Sequence, residues 1–128
     1  YFFPTISEKQ FVKNYYMNEN ELKNLVKHDM ILGSHTASHE LLSAIPFAKA
    51  RKEIDLSINY LEQFTKFKTF CYPYGSKMSY NNKIKNYLKK KVSFSVTVTN
   101  RKISNNDLKK NRQEISRLDC NNFKYGKI

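Results

Sequence analysis

His35 and His39 stand four positions apart in the segment Gly33-Ser34-His35-Thr36-Ala37-Ser38-His39. Two imidazoles at that spacing reach one metal ion when a helical turn or helical loop separates them. Imidazole suits a borderline divalent ion such as zinc. Two imidazoles give at most two protein bonds, so a hydrolytic centre built on them needs a third ligand, usually a carboxylate, and a water. The same spacing also describes two incidental polar loop residues. The metal reading gains from context: two of the three His lie in this one segment, directly after a Gly-Ser step. His28, the third, sits near a helix end, where dipole complementarity accounts for it. The second candidate is Tyr72-Pro73-Tyr74-Gly75. Pro-Tyr-Gly is a turn signal in its own right. Its functional reading is a rigid corner that fixes a backbone N–H where an oxyanion develops.

The elements that must position these residues follow from periodicity. Tyr1-Phe2-Phe3-Pro4 reads as the last part of a buried strand, and Ser7 to Asn14 as loop or short helix. Asn18 or Asn20 caps a helix that carries Glu19 and Glu21 in its first turn and Leu22, Leu25 and Val26 on one face, stopping near Asp29. Met30-Ile31-Leu32 reads as a buried strand ended by Gly33. The clearest helix starts at Pro46, with Ala50, Ile54, Ile58 and Leu61 at helical spacing, leaving Glu53, Asp55, Ser57 and Asn59 toward solvent. Thr69 to Tyr72 reads as a strand, Ser79 to about Lys90 as a third helix, and Val92 to Thr99 as a β-branched strand. Asn100 to Arg112 reads as polar loop and Ile115 to Leu118 as a last strand. Alternating strands and helices imply parallel pairing through crossover helices, an α/β layered or barrel fold. In that class, sites form at the carboxyl ends of strands. Both candidates stand there, as does Thr97 to Asn100.

The 128 residues, read as one domain over 1–128, carry 23 Lys and Arg against 11 Asp and Glu, a formal charge of +12. That balance excludes an acidic tail protein. The 40% hydrophobic content excludes a disordered chain. No uncharged apolar run reaches the ~18–20 residues of a membrane-spanning helix. Two isolated thiols, Cys71 and Cys120, make no disulfide framework. The charge is compatible with a polyanion partner, nucleic acid included. Only four of the basic residues are Arg, however, and nucleic-acid readers favour Arg. Lys89-Lys90-Lys91 closes a helix, where it complements the dipole. A basic nucleic-acid-binding domain is therefore only a second alternative, and no nucleic acid is expected.

Taken in order, Leu32-Gly33-Ser34-His35-Thr36-Ala37-Ser38-His39 and Phe70-Cys71-Tyr72-Pro73-Tyr74-Gly75 resemble the polysaccharide deacetylase family, the family 4 carbohydrate esterases. That family carries a His-[Ser/Thr]-x-x-His motif and, some thirty to forty residues on, an aromatic-Pro-Tyr-Gly motif. Tyr1 to Pro4, Ser93 to Thr99 and Ile115-Ser116-Arg117-Leu118 resemble further stretches of it. The resemblance implies a deformed β/α barrel, a divalent metal, commonly zinc, and hydrolysis of N-acetyl or occasionally O-acetyl groups on an amino-sugar glycan or polysaccharide. It implies that His35 and His39 ligate the metal and that Thr36 hydrogen-bonds to shape their loop. Tyr74 would supply the oxyanion N–H, and Pro73, Gly75 and Arg117 would shape the loop or bind substrate.

The departures from the family pattern are equally specific. The family's Asp-Asp pair supplies the general base and the third metal ligand, and no Asp-Asp occurs in this sequence. The Arg two residues before the Pro of the second motif is Cys71 here. The late Leu-x-His acid is missing, since no His follows His39. Glu40, Asp29 and Asp119 are the substitutes to consider. With Tyr1 in place of Met and no leader segment, the expectation is a fragment that lacks the first barrel strand, and so a weakly active or inactive chain. The gap would be filled by a further segment or a partner chain. A non-catalytic glycan-binding relative is the alternative. The family suggests the cell envelope or export, with cytoplasmic members acting on lipid-linked sugars.

Overall fold

The computed structural model describes residues 7–99 and 101–118. Two helices, α1 (Glu8–Tyr15) and α2 (Glu19–Lys27), precede the sheet. Of the two caps the sequence offers, Asn18 is the one used, and it forms a capping box with Glu21. Neither helix buries a residue completely.

Among the described residues four strands follow: β1 (Gly33–Ser34), β2 (Thr69–Cys71), β3 (Phe94–Thr97) and β4 (Ile115–Ser116). Every pairing is parallel, and the spatial order is the chain order. Parallel neighbours need crossover connections, and the helices supply them. The connecting helices are α3 (Phe47–Leu61), α4 (Asn82–Leu88) and α5 (Asn105–Lys110), with a 3₁₀ turn at Arg112–Glu114 leading into β4. The α/β class read from the sequence is thus observed. The expected strand over Tyr1 to Pro4 lies outside the described residues.

The core sits between the sheet and α3 and α4. Leu42, Ala50, Ile54, Ile58, Phe70, Tyr72, Ile84 and Leu88 form one cluster, each at most 3% exposed. Burying a side chain of Ile or Leu size contributes about 1.5–3 kcal/mol, so these residues lock α3 and α4 onto β2. Tyr72 and Tyr80 stack with centroids 4.0 Å apart. Their hydroxyls reach Gln113 O and the Glu114 carboxylate, tying the core to the 3₁₀ turn.

Four boundaries depart from the sequence reading. Met30 and Ile31, expected in a buried strand, are 57% and 62% exposed, and β1 begins only at Gly33. The cause is the end of α2. Asp29 takes φ 59° and donates to Val26 O, and Met30 N–H donates to Leu25 O, the two bonds of a Schellman motif. Met30 is spent on ending a helix, and only Leu32 of the run is buried. The third helix starts at Asn82 and not at Ser79, because the Asn81 side chain caps it by accepting from Ile84 N. The Val92 to Thr99 strand shortens to Phe94–Thr97. Finally, the predicted loop over 100–112 contains α5, held by a capping box between Ser104 and Asp107 and by a bidentate Arg101–Asp107 pair.

Candidate functional site

The loop leaving β1 carries both imidazoles. His35 and His39 lie with ring centroids 4.8 Å apart, and the His39 ring meets the Tyr74 ring edge-on at 5.0 Å. Two strand ends therefore converge, β1 through the histidines and β2 through Pro73-Tyr74-Gly75. Sequence separation alone gives no such contact; the parallel pairing of β1 with β2 creates it.

The loop geometry is unusual for its residue types. Thr36 and His39 take φ of 67° and 57°. A β-branched residue with positive φ is a true outlier, at a cost of about 1–3 kcal/mol. Thr36 does not supply the hydrogen bond expected of it: Oγ1 is buried with no partner among the described residues. The loop is held by other groups. His35 Nδ1 lies 2.8 Å from Cys71 O. A carbonyl can only accept, so Nδ1 is the donor, and in the neutral tautomer Nε2 is the nitrogen that offers a lone pair. Ser38 donates its N–H and its hydroxyl to the Glu53 carboxylate, each at 2.8 Å.

The sequence places Glu53 toward solvent, and the structure corrects this: it is 8% exposed. Burial pushes its carboxyl up, but donation from the Ser38 hydroxyl and amide and from the Ala37 amide outweighs burial, aided by the Lys49 charge. The net position is below the ordinary value. Ser57, also expected outside, is half-buried and bonds Ser34 Oγ at 2.6 Å. Asp55 accepts from the Tyr87 hydroxyl and pairs with Lys91. The α3 polar stripe thus faces the β1 loop and α4. The Glu-x-x-x-Ser spacing on one helix face, at the level of the His loop, was the available signal.

The second corner is equally constrained. Tyr74 and Gly75 take φ of 63° and 64°, and Pro73 is buried. A Cβ on Gly75 would collide with Val98 Cγ2 and meet Val98 N at 2.8 Å, so only glycine fits. Gly75 O accepts from Val98 N–H, whereas Tyr74 N–H has no hydrogen-bond partner among the described residues. The Tyr74 side chain is 62% exposed. Arg117 follows β4 and is exposed. Burial raises the half-buried Cys71 thiol, and the Arg117 charge opposes that rise. At the third strand end, Thr97 and Thr99 hydroxyls bond each other at 2.9 Å. Asn100 lies outside the described residues.

The two imidazoles and the free Nε2 of His35 fit a divalent ion as far as they go. No group of three His, Cys, Asp or Glu able to hold a metal occurs among the described residues. Glu40 is engaged by Lys49, Asp29 ends α2, and Asp119 lies outside the described residues. A groove of about 350 Å³ adjoins His35 and Thr36 and is walled by Leu56, Ser57 and Tyr60 of α3.

No curated protein and no solved structure matches the chain significantly. The family model for polysaccharide deacetylase matches residues 2–93, most of the chain, and spans both the imidazole loop and the Pro-Tyr-Gly corner. The chain belongs to the polysaccharide deacetylase family, a family of carbohydrate hydrolases.

Proposed function

We propose that this chain is the core of a metal-dependent deacetylase that removes acetyl groups from amino sugars of a polysaccharide or glycan. The observation that carries the reading is the convergence of two imidazoles from one loop beside a corner with an unspent amide. His35 and His39 would hold the ion, which is zinc in this reading. The Cys71 carbonyl orients the His35 ring, as second partners of metal-binding imidazoles do. The ion would supply Lewis acidity toward the acetyl carbonyl and toward water. Tyr74 N–H donates to the developing oxyanion, while Pro73 and Gly75 fix the direction of that N–H. Arg117 sits at the same end of the sheet and binds the glycan.

Two roles have no holder among the described residues, the third metal ligand and the general base. In this reading a carboxylate pair enters on a strand beside β1, whose outer edge has no strand partner among the described residues, and the sheet curves into a deformed barrel. A positioned base contributes ~10²–10⁴-fold to rate. The 128-residue chain alone is therefore expected to release acetate only weakly. That no described residue holds the base also favours a second reading, a non-catalytic member that binds glycan.

Zinc titration by calorimetry tests the site. The chain should bind zinc, and the His35→Ala, His39→Ala double variant should not. Equal binding by the double variant overturns the assignment. Acetate release from an N-acetylated amino-sugar oligomer on adding a peptide that carries the carboxylate pair separates enzyme from binding protein.

A further inference from the structure

Five cationic side chains converge on one cavity at the end of the sheet remote from the imidazoles. The cavity is about 420 Å³ and lies between the end of α4, the chain entering β3 and the segment leading from α5 into β4. Lys85, Lys89, Lys109, Lys110 and Arg112 line it, with Glu114 as the single carboxylate among the described residues. Its volume falls in the roughly 300–1,000 Å³ range of small-molecule sites. Because the sheet is wholly parallel, the residues entering β3 and β4 mark amino ends of strands, whereas His35 and Tyr74 follow carboxyl ends. The cavity is separate from the candidate deacetylase centre, and nothing below rests on that function.

Helix termini explain only part of this charge. Lys89 caps the end of α4, and Lys109 and Lys110 lie in the last turn of α5. Two helix carboxyl ends present about one negative charge between them. Glu114 is already engaged by Lys85 at 3.1 Å and by the Tyr80 hydroxyl at 2.9 Å. Lys89, Lys109, Lys110 and Arg112 form no ion pair among the described residues, so about three positive charges stay uncompensated after the dipoles are counted. Elsewhere Lys49, Lys68, Lys91 and Arg101 each have a carboxylate partner. Further cations without an ion pair, Lys9 and Lys77 among them, are exposed elsewhere on the chain, but these four share one concave site, which also offers Ser93 and Asn111 as neutral polar groups. An adjacent groove shares Lys89 and adds Lys66 and Lys90.

We propose that this cavity binds a phosphoryl ligand bearing several negative charges, of the pyrophosphate class. The planar guanidinium of Arg112 matches two oxygens of a phosphate, and the lysines act as mobile point charges. A single carboxylate would neutralise too little of the field.

The test is calorimetric titration of inorganic pyrophosphate into the whole chain and into the Lys110→Gln, Arg112→Gln double variant. Binding should weaken about tenfold in the variant and decline with added salt. Its circular dichroism melt should not change. Should that variant fail to fold, amide shifts of the unaltered chain on adding pyrophosphate give the answer, with the largest changes expected in 85–93 and 109–114. Displacement of the chain from phosphatidylglycerol vesicles by pyrophosphate would name a lipid headgroup as the source. Pyrophosphate binding without vesicle binding would name a soluble phosphate compound. Equal affinity of chain and variant, shifts spread over remote lysines such as Lys9 and Lys77, or no binding at millimolar pyrophosphate overturns the proposal.

Discussion

Glu53→Ala should loosen the imidazole loop without touching either ring. The carboxylate receives two hydrogen bonds from Ser38, each 2.8 Å long, and sits 8% exposed on α3. A hydrogen bond to a charged group contributes about 1.5–3 kcal/mol when sheltered. Ser38 itself is exposed, so water recovers part of the loss. The net cost of the pair is then about 2 kcal/mol. That figure resembles the strain of one residue at unfavourable positive φ, about 1–3 kcal/mol, and the loop holds Thr36 and His39 in that region. Without the anchor, relaxing the strain becomes competitive with keeping the rings together. Urea unfolding followed by circular dichroism should show stability lower by about 2 kcal/mol in Glu53→Ala and by about half that in Glu53→Gln. Zinc affinity should fall by about tenfold or more, the scale seen when a residue supporting a metal ligand is lost. A Ser38→Ala, Glu53→Ala cycle should show coupling of about 1 kcal/mol or more. The sign with pH follows from the depressed carboxyl. Its stabilisation is complete above the ordinary value near 4.5 and is lost as pH falls through the lower folded value. An unchanged urea midpoint together with unchanged zinc affinity in Glu53→Ala would refute the reasoning.

Gly75→Ala places a methyl against Val98 side-chain and backbone atoms at left-handed φ; a loss of about 2–4 kcal/mol is expected in the same urea assay, with Gly75→Asn no better because its Cβ meets the same atoms. Asp107 is held well below the usual carboxylate range, first by the Arg101 guanidinium and then by the Ser104 amide and hydroxyl. Its stabilisation is present above the ordinary value near 3.8 and is lost as pH falls through the folded value. Asp107→Asn should flatten the acid limb of a plot of unfolding midpoint against pH, and an unaltered limb would contradict the pairing.

The sequence carried the strand ends and their chemistry because both motifs are local: a Gly-Ser step before two imidazoles, and Pro-Tyr-Gly after a β-rich run. Parallel pairing of β1 with β2 sets the two strand ends side by side, and the loop held by Glu53 brings the His39 and Tyr74 rings to 5.0 Å. Three features were hidden for physical reasons. Met30 and Ile31 read as core because hydropathy cannot see that Asp29, a non-glycine, takes the left-handed turn that makes Met30 part of a helix cap. Glu53 read as surface because a buried carboxylate depends on donors fifteen residues away in Ser38. Positive φ at Thr36 and Tyr74 contradicts both residues' own preferences, so no local signal announces it. The α5 helix was legible after all, since Ser104 and Asp107 stand at capping-box spacing. The segment reads as polar loop because Ile103 and Leu108 are its only apolar residues and give no helical face.

Strand order equal to chain order has a consequence for assembly and descent. Each strand joins its predecessor, so the sheet can grow outward like a fan opened one rib at a time, with no rib threaded between two already in place. Such a layout lets an outermost rib be gained, exchanged or lost while the inner ones keep their partners.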